Sequence, residues 1–170
     1  MSNFQHHTEK GKGVVSIATV DEDMPLLEVT AQYNPSVLQV DLSVPWNVNA
    51  QANKSPEKGI QLEFTGAQGR SMSLELTFDG FEENESVATK VETLNKMASV
   101  KKAGSSDENL RRPYRCVVTW GDTVPSFRCV IESLSTKYTM FSETGVPLRA
   151  TCTVKLKEAD IVAMAKTDGK

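Results

Sequence analysis

The stretch "LRATCTVKLK", Leu148–Lys157, alternates without a break. Leu148, Ala150, Cys152, Val154 and Leu156 fall on one side, and Arg149, Thr151, Thr153, Lys155 and Lys157 on the other. A period of two gathers the apolar residues on one face of an extended chain; a helix would scatter them around its circumference. The same pattern recurs upstream. "MSLELTF" groups Met72, Leu74, Leu76 and Phe78, "IQLEF" turns Ile60, Leu62 and Phe64 inward, and "LLEVTAQY" groups Leu27, Val29 and Ala31. "LQVDLSVPW" groups Leu38, Val40, Leu42, Val44 and Trp46, with Pro45 marking an edge or end. "YRCVVTW" and "FRCVIESL" flank the turn "GDTVPS" and read as a hairpin. Strands with one apolar face each belong to antiparallel sheets whose other side is wet. One segment departs from this period: Val87, Val91, Leu94 and Ala98 recur at helical spacing. Glu82, Glu83 and Glu85 precede it, where exposed amides favour acids, and Ser86 is the expected N-cap. The expected fold is mainly β: about seven or eight antiparallel strands in a β-barrel or sandwich, with one inserted α-helix.

A chain of 170 residues fits one domain. Its polar start, residues 1–22, reads as a flexible arm, residues 23–160 as the β domain, and residues 161–170 as a C-terminal tail. The net charge of −3 argues against nucleic acid as the partner, because phosphate binding needs a concentrated basic surface. The basic residues Lys101, Lys102, Arg111 and Arg112 flank a Gly/Ser loop and read as solvated. No window carries the roughly 18 apolar residues of a membrane helix, and the N-terminus has no secretory pattern, so membrane insertion is not expected and the expected compartment is the cytoplasm. Cys116, Cys129 and Cys152 are odd in number and lie in strand-like runs, which predicts buried reduced thiols.

Catalytic readings fail on the same residues. His6 and His7 lie in the arm, so neither a thiol nor a serine has a base in the fold, and two adjacent histidines do not close a metal shell. "TGAQGR" lacks the phosphate-loop spacing; its glycines are expected to supply positive φ in a strand connection. Asp79, Glu82, Glu83 and Glu85 read as a solvated corner rather than a carboxylate pair at work. No catalytic residue, metal or cofactor is expected. Arg70, between a glycine turn and a strand, has three open roles: holding the acidic corner of its own chain, meeting acids of a neighbouring subunit, or standing in solvent. Trp120 is expected in the core; Trp46, at a strand end, is either core or an interface anchor.

Four stretches in order, "VTAQYNPSVLQVDLSVPW", "LEFTGAQGRSMSLELTFDGFEE", "RRPYRCVVTWGD" and "FRCVIESLSTKYTMFSETGVPLRATCTVKLKE", resemble the tube-protein domain of contractile injection systems, related in fold to phage tail tube proteins. The resemblance runs from about Val29 to Glu158. It implies a tail-tube type β domain that assembles as a hexameric ring, joining the inner tube to the spike and baseplate of a phage-tail-like particle. The implied partners are further copies of itself, the inner tube protein, the spike protein and baseplate wedge proteins. Many members continue into a LysM module; this sequence shows none after Glu158. Under this reading Trp46, Arg70, Glu82, Glu83 and Glu85 become candidate interface residues. A polymerising inner-tube or tube-initiator subunit is the near alternative, and a ligand-binding β-barrel the alternative of another class.

Overall fold

In the computed structural model, residues 13–22, 24–48, 60–66, 68–121 and 124–159 are described. They form nine strands and one helix: β1 (Val15–Thr19), β2 (Glu28–Thr30), β3 (Gln39–Asp41), β4 (Trp46–Val48), β5 (Leu62–Phe64), β6 (Ser71–Asp79), α1 (Ala88–Ala98), β7 (Arg115–Trp120), β8 (Val124–Phe141) and β9 (Pro147–Glu158). Seven strands make one antiparallel sheet in the order β2-β1-β7-β8-β9-β6-β3, and β4 and β5 pair separately. β2 and β3 stand at opposite edges without pairing, so the sheet does not close into a barrel; the fold is sandwich-like.

The alternating segments build the core as their period demands. Met72, Leu74, Leu76 and Phe78 of β6 face Leu148, Ala150, Cys152, Val154 and Leu156 of β9, all buried. Burying each large apolar side chain contributes about 1.5–3 kcal/mol. α1 lays Val91, Leu94 and Met97 into the same cluster. The helix begins at Ala88 with no side-chain cap on its N-cap residue Val87, and no acid lies in its first turn. Ser86 instead accepts a hydrogen bond from Ala88 N at 3.2 Å, and Glu82, Glu83 and Glu85 belong to the preceding turn, too far back for the helix amides to hold.

Three expectations are corrected. Residues 15–19, assigned to a flexible arm, form β1, paired with β2 and β7, and Val15 and Ile17 are fully buried. Polarity averaged over residues 1–22 hides this strand, in which all of "VSIAT" except the half-buried Ser16 is buried. The second correction concerns residues 38–48 and 60–64. Val40, Leu42, Val44, Ile60, Leu62 and Phe64 are expected inward and are all exposed, as is Trp46, whose role the sequence leaves open between core and interface. Alternation names an apolar face but not what covers it; β3 is the edge strand beside β6, and β4 and β5 pair apart from the main sheet. The third is Gly69, which has no positive φ: a Cβ there would sit 3.1 Å from the Glu158 carbonyl, so the position needs close approach. Gly66, with φ +128°, does supply the expected conformation.

Candidate interface surfaces

The β6 edge is the first surface. Gly80 N donates to Leu148 O and Glu158 N donates to Arg70 O, so even-numbered residues of this stretch bond to β9. In an antiparallel ladder alternate residues point their amides and carbonyls to opposite sides. The odd-numbered residues Ser71, Ser73, Glu75, Thr77 and Asp79 therefore face away from β9. β3 serves Ser71 and Ser73. Asp79 is served by a side chain: Gln32 Nε2 donates to Asp79 O and Asp79 N donates to Gln32 Oε1, each at 2.8 Å. Between these ends the segment through Tyr33, Pro35 and Val37 bows outward and leaves a cleft of about 380 Å³ against Glu75 and Thr77.

The acidic corner follows β6. Asp79 pairs with its cross-strand partner Arg149, Nε 2.9 Å and Nη2 2.5 Å from Oδ2. The amide of Phe81 at 3.0 Å and the Arg149 guanidinium hold the Asp79 carboxyl below its ordinary range. Glu85 N closes back onto Gly80 O, and Asn84 takes φ +51°. A side chain at position 80 would collide with the Glu85 carbonyl, so the corner requires glycine there. Glu82, Glu83 and Glu85 are exposed, and Glu82 and Glu83 line a polar hollow with Gln32, Tyr33 and Arg149.

Arg70 does not reach that corner. It lies just before the opposite end of a nine-residue strand, about 30 Å away at the rise of an extended chain. Its guanidinium binds Glu158 (Nη2–Oε1 2.6 Å), its amide binds the same carboxylate at 2.8 Å, and it stacks over Phe127 with 5.5 Å to the ring centroid. The Arg70 hydrogen bonds draw the Glu158 carboxyl down. Glu158 carries no local sequence signal as a partner; only the β6–β9 register brings it to Arg70.

Trp46 lies on an apolar platform. In the β4–β5 register Trp46 faces Phe64 and Val48 faces Leu62, so all four share one face, while Asn47 and Glu63 share the other. Each of the four is more than half exposed, and the Trp46 and Phe64 rings meet at 5.5 Å. A lone two-stranded hairpin is marginal in water, and the patch makes this face a candidate contact surface.

One further cluster was not legible as a unit. Asp21, its side chain fully buried, receives Arg112 Nη2 at 2.9 Å, Arg115 Nε at 2.8 Å, the Arg115 amide at 2.9 Å and Lys101 Nζ at 3.3 Å. It ties the connection between α1 and β7 to the end of β1. The connection itself is closed by Lys101 N to Arg112 O and Lys102 N to Leu110 O. The expectation of a solvated basic loop fails at Lys101, whose side chain is buried, and at Arg112, which is largely covered; a buried carboxylate recruits them. The three cysteines are buried and free, as expected.

Among the described residues no group of His, Cys, Asp and Glu is placed to hold a metal ion, and no helix is long and apolar enough to cross a membrane. A family model described as contractile injection system tube protein matches residues 14–166. Among solved structures, a chain of the anti-feeding prophage (AFP) baseplate, determined by cryo-EM and 6-fold symmetrised, aligns over 91% of this chain and 95% of that chain, at 11% identity and a TM-score of 0.37. A likeness at that level carries no argument about role. No curated protein sequence matches significantly.

Proposed function

The chain belongs to the contractile injection system tube protein family, and from that premise we propose that it forms a ring, hexameric as the resemblance implies, joining the inner tube to the spike and baseplate. Family membership makes it a structural subunit of a contractile injection system; the ring and its place in the particle are our reading.

The observation that carries this reading is a four-strand stretch, β8–β9–β6–β3, with open hydrogen-bonding edges on opposite sides. β8 pairs with β7 only up to Val130, so from Ile131 to Phe141 no strand of the described residues lies on that side. At the other end β3 pairs with β6 alone. Four is an even number, so joining β3 of one copy to β8 of the next continues the alternation of strand direction. A head-to-tail joint of this kind closes into a ring when its rotation allows, and closure removes both exposed edges. The apolar hairpin face at Trp46 and the acidic corner at Glu82, Glu83 and Glu85 then meet the tube on one side and the spike or baseplate on the other. Arg70, occupied by Glu158, serves this surface by fixing the end of β6. Assembly takes place in the cytoplasm, within a phage-tail-like particle.

Val40 tests the joint. Gln39 and Asp41 face β6, so the amide of Val40 faces the free edge. Val40→Pro removes that one donor without touching the β3–β6 bonds. The expected result is a folded protein that sediments as a monomer, while the unaltered chain forms rings and is counted at about one ring per particle against sheath protein. Normal rings from Val40→Pro would place the joint elsewhere. Many copies per particle would make the chain a polymerising tube subunit.

A further inference from the structure

The two open edges can meet in only a few registers. Glu158 N donates to Arg70 O and Gly80 N donates to Leu148 O, so even-numbered residues of β9 face β6 and odd-numbered ones face β8. The β8 partners of those odd residues, Ser133, Ser135 and Lys137, bond inward. Leu134, Thr136 and Tyr138 therefore turn their amides and carbonyls to the free edge. On β3, Gln39 and Asp41 face β6 and Val40 faces out. Val40 lies on the same side of the sheet as buried Met72, and Leu134 on the same side as buried Val154. Residues directly opposite in a ladder share a face. Within the run Ser133–Tyr138, which pairs with β9 without a register shift, Val40 of one copy can thus oppose only Leu134, Thr136 or Tyr138 of the next.

Strand tilt removes the first. Inside one copy a row of opposed residues runs Gln39–Ser73–Lys155–Ser133. The residue of β8 that meets Gln39 of the next copy lies two, four or six residues beyond Ser133 for the Leu134, Thr136 and Tyr138 registers. That stagger accrues over four strands. At about 3.3 Å per residue and about 4.8 Å per strand spacing, the tilts are about 19°, 35° and 46°, whatever the number of copies. Closed sheets tilt by about 35–45°.

The alternation of "LQVDLSVPW" separates the remaining two. Val40, Leu42 and Val44 are all exposed. With Val40 opposite Tyr138, Leu42 meets Thr136 and Val44 meets Leu134. Asp41 then faces Lys137, Ser43 faces Ser135, and Pro45 ends the run opposite Ser133, where the register shift begins. With Val40 opposite Thr136, Val44 falls on Glu132, inside that shift, and Asp41 faces Ser135. Only the Tyr138 register sets carboxylate directly against ammonium and seats the whole apolar run on the regular part of β8.

We propose that β3 extends through Val44 on assembly and pairs in this register, with Val40, Leu42 and Val44 opposite Tyr138, Thr136 and Leu134 of the next copy and Asp41 against Lys137. The inference rests on the ring reading above and supplies the contact that holds it. Three apolar side chains exposed in the single chain gain a cover from a second copy.

Disulfide trapping tests it on the full chain. The native cysteines are buried, so engineered pairs at exposed serines report alone. Ser43→Cys with Ser135→Cys, oxidised after assembly, gives a ladder of covalent oligomers on a gel without reductant. Ser43→Cys with Ser133→Cys, two residues out of register, forms it at least about tenfold more slowly. Asp41→Lys and Lys137→Asp each lower ring yield, and the double variant restores it. Sedimentation before oxidation, beside the unaltered chain, scores the ring separately. A faster ladder from the Ser133 pair overturns the register and leaves the ring standing. Rings in which neither pair links overturn the joint between these edges. No rescue by the double variant overturns the Asp41–Lys137 contact. No ring from the unaltered chain overturns the ring reading and this register with it.

Discussion

The side-chain amide of Gln32 bonds both the amide and the carbonyl of Asp79, as a neighbouring strand would. It holds the last residue of β6 in register where the Asp79–Arg149 pair and the acidic corner begin. Gln32→Leu keeps the volume and removes both bonds. The Asp79 amide should then exchange faster and the resonances of Phe81 to Glu85 should shift, with Ser71 and Ser73 unaffected at the far end.

Asp21 is the electrostatic keystone of the α1–β7 connection. Burial alone would raise its carboxyl, but hydrogen bonds from Arg112 and Arg115 outweigh burial and hold it at about 2, below the ordinary 3.8. A lowered value means stability that is complete above about pH 4 and lost as the pH falls toward about 2. Asp21→Asn leaves the cations facing a neutral group and should cost about 3 kcal/mol in denaturant unfolding. Its stability should also lose Asp21's share of the dependence on pH in that acid window, leaving the shares of Asp79 and Glu158.

If Trp46 is an assembly anchor, it contributes little to the monomer: among the described residues its ring meets the ring of Phe64 and stays 55% exposed. Trp46→Ala should leave the melting temperature nearly unchanged. It should weaken ring or layer association by about 2 kcal/mol, roughly thirtyfold in Kd, the size of an aromatic anchor. A melting temperature that drops steeply with assembly intact would return Trp46 to a purely structural role.

Charge reversal at Glu82 and Glu83 separates surface from scaffold. Neither carboxylate takes part in the bonds that shape the corner, which come from Asp79, Gly80, Phe81 and Glu85. Glu82→Lys with Glu83→Lys should therefore fold normally and assemble more slowly, with a changed salt dependence. Particles of normal yield from that variant would remove the corner from the interface.

The thiols should be silent. Burial pushes Cys116 up to about 12, with the Asp21 charge adding to it, and burial also raises Cys129 and Cys152. A thiol reagent at about pH 8 should label none of the three in the native protein and all three after denaturation.

The alternation of "MSLELTF" and "LRATCTVKLK" was enough to specify β6 and β9, their buried faces and the antiparallel class, because a period of two has one structural meaning. The helical spacing through Val91 and Leu94 likewise located α1. Partners distant in sequence were another matter. Arg70 meets Glu158, Arg149 meets Asp79, and Asp21 gathers Lys101, Arg112 and Arg115 only once the register of the sheet and the path of one connection are set; nothing local encodes a contact across seventy to ninety residues. The same limit hid the exposure of Val40, Trp46, Leu62 and Phe64. Their period is that of a core strand, and the sequence alone determined which of their faces is apolar. Tertiary structure decided that no part of the described chain covers that face, because hydrophobic burial rewards any cover and the residues of a strand do not say whether it comes from the same chain.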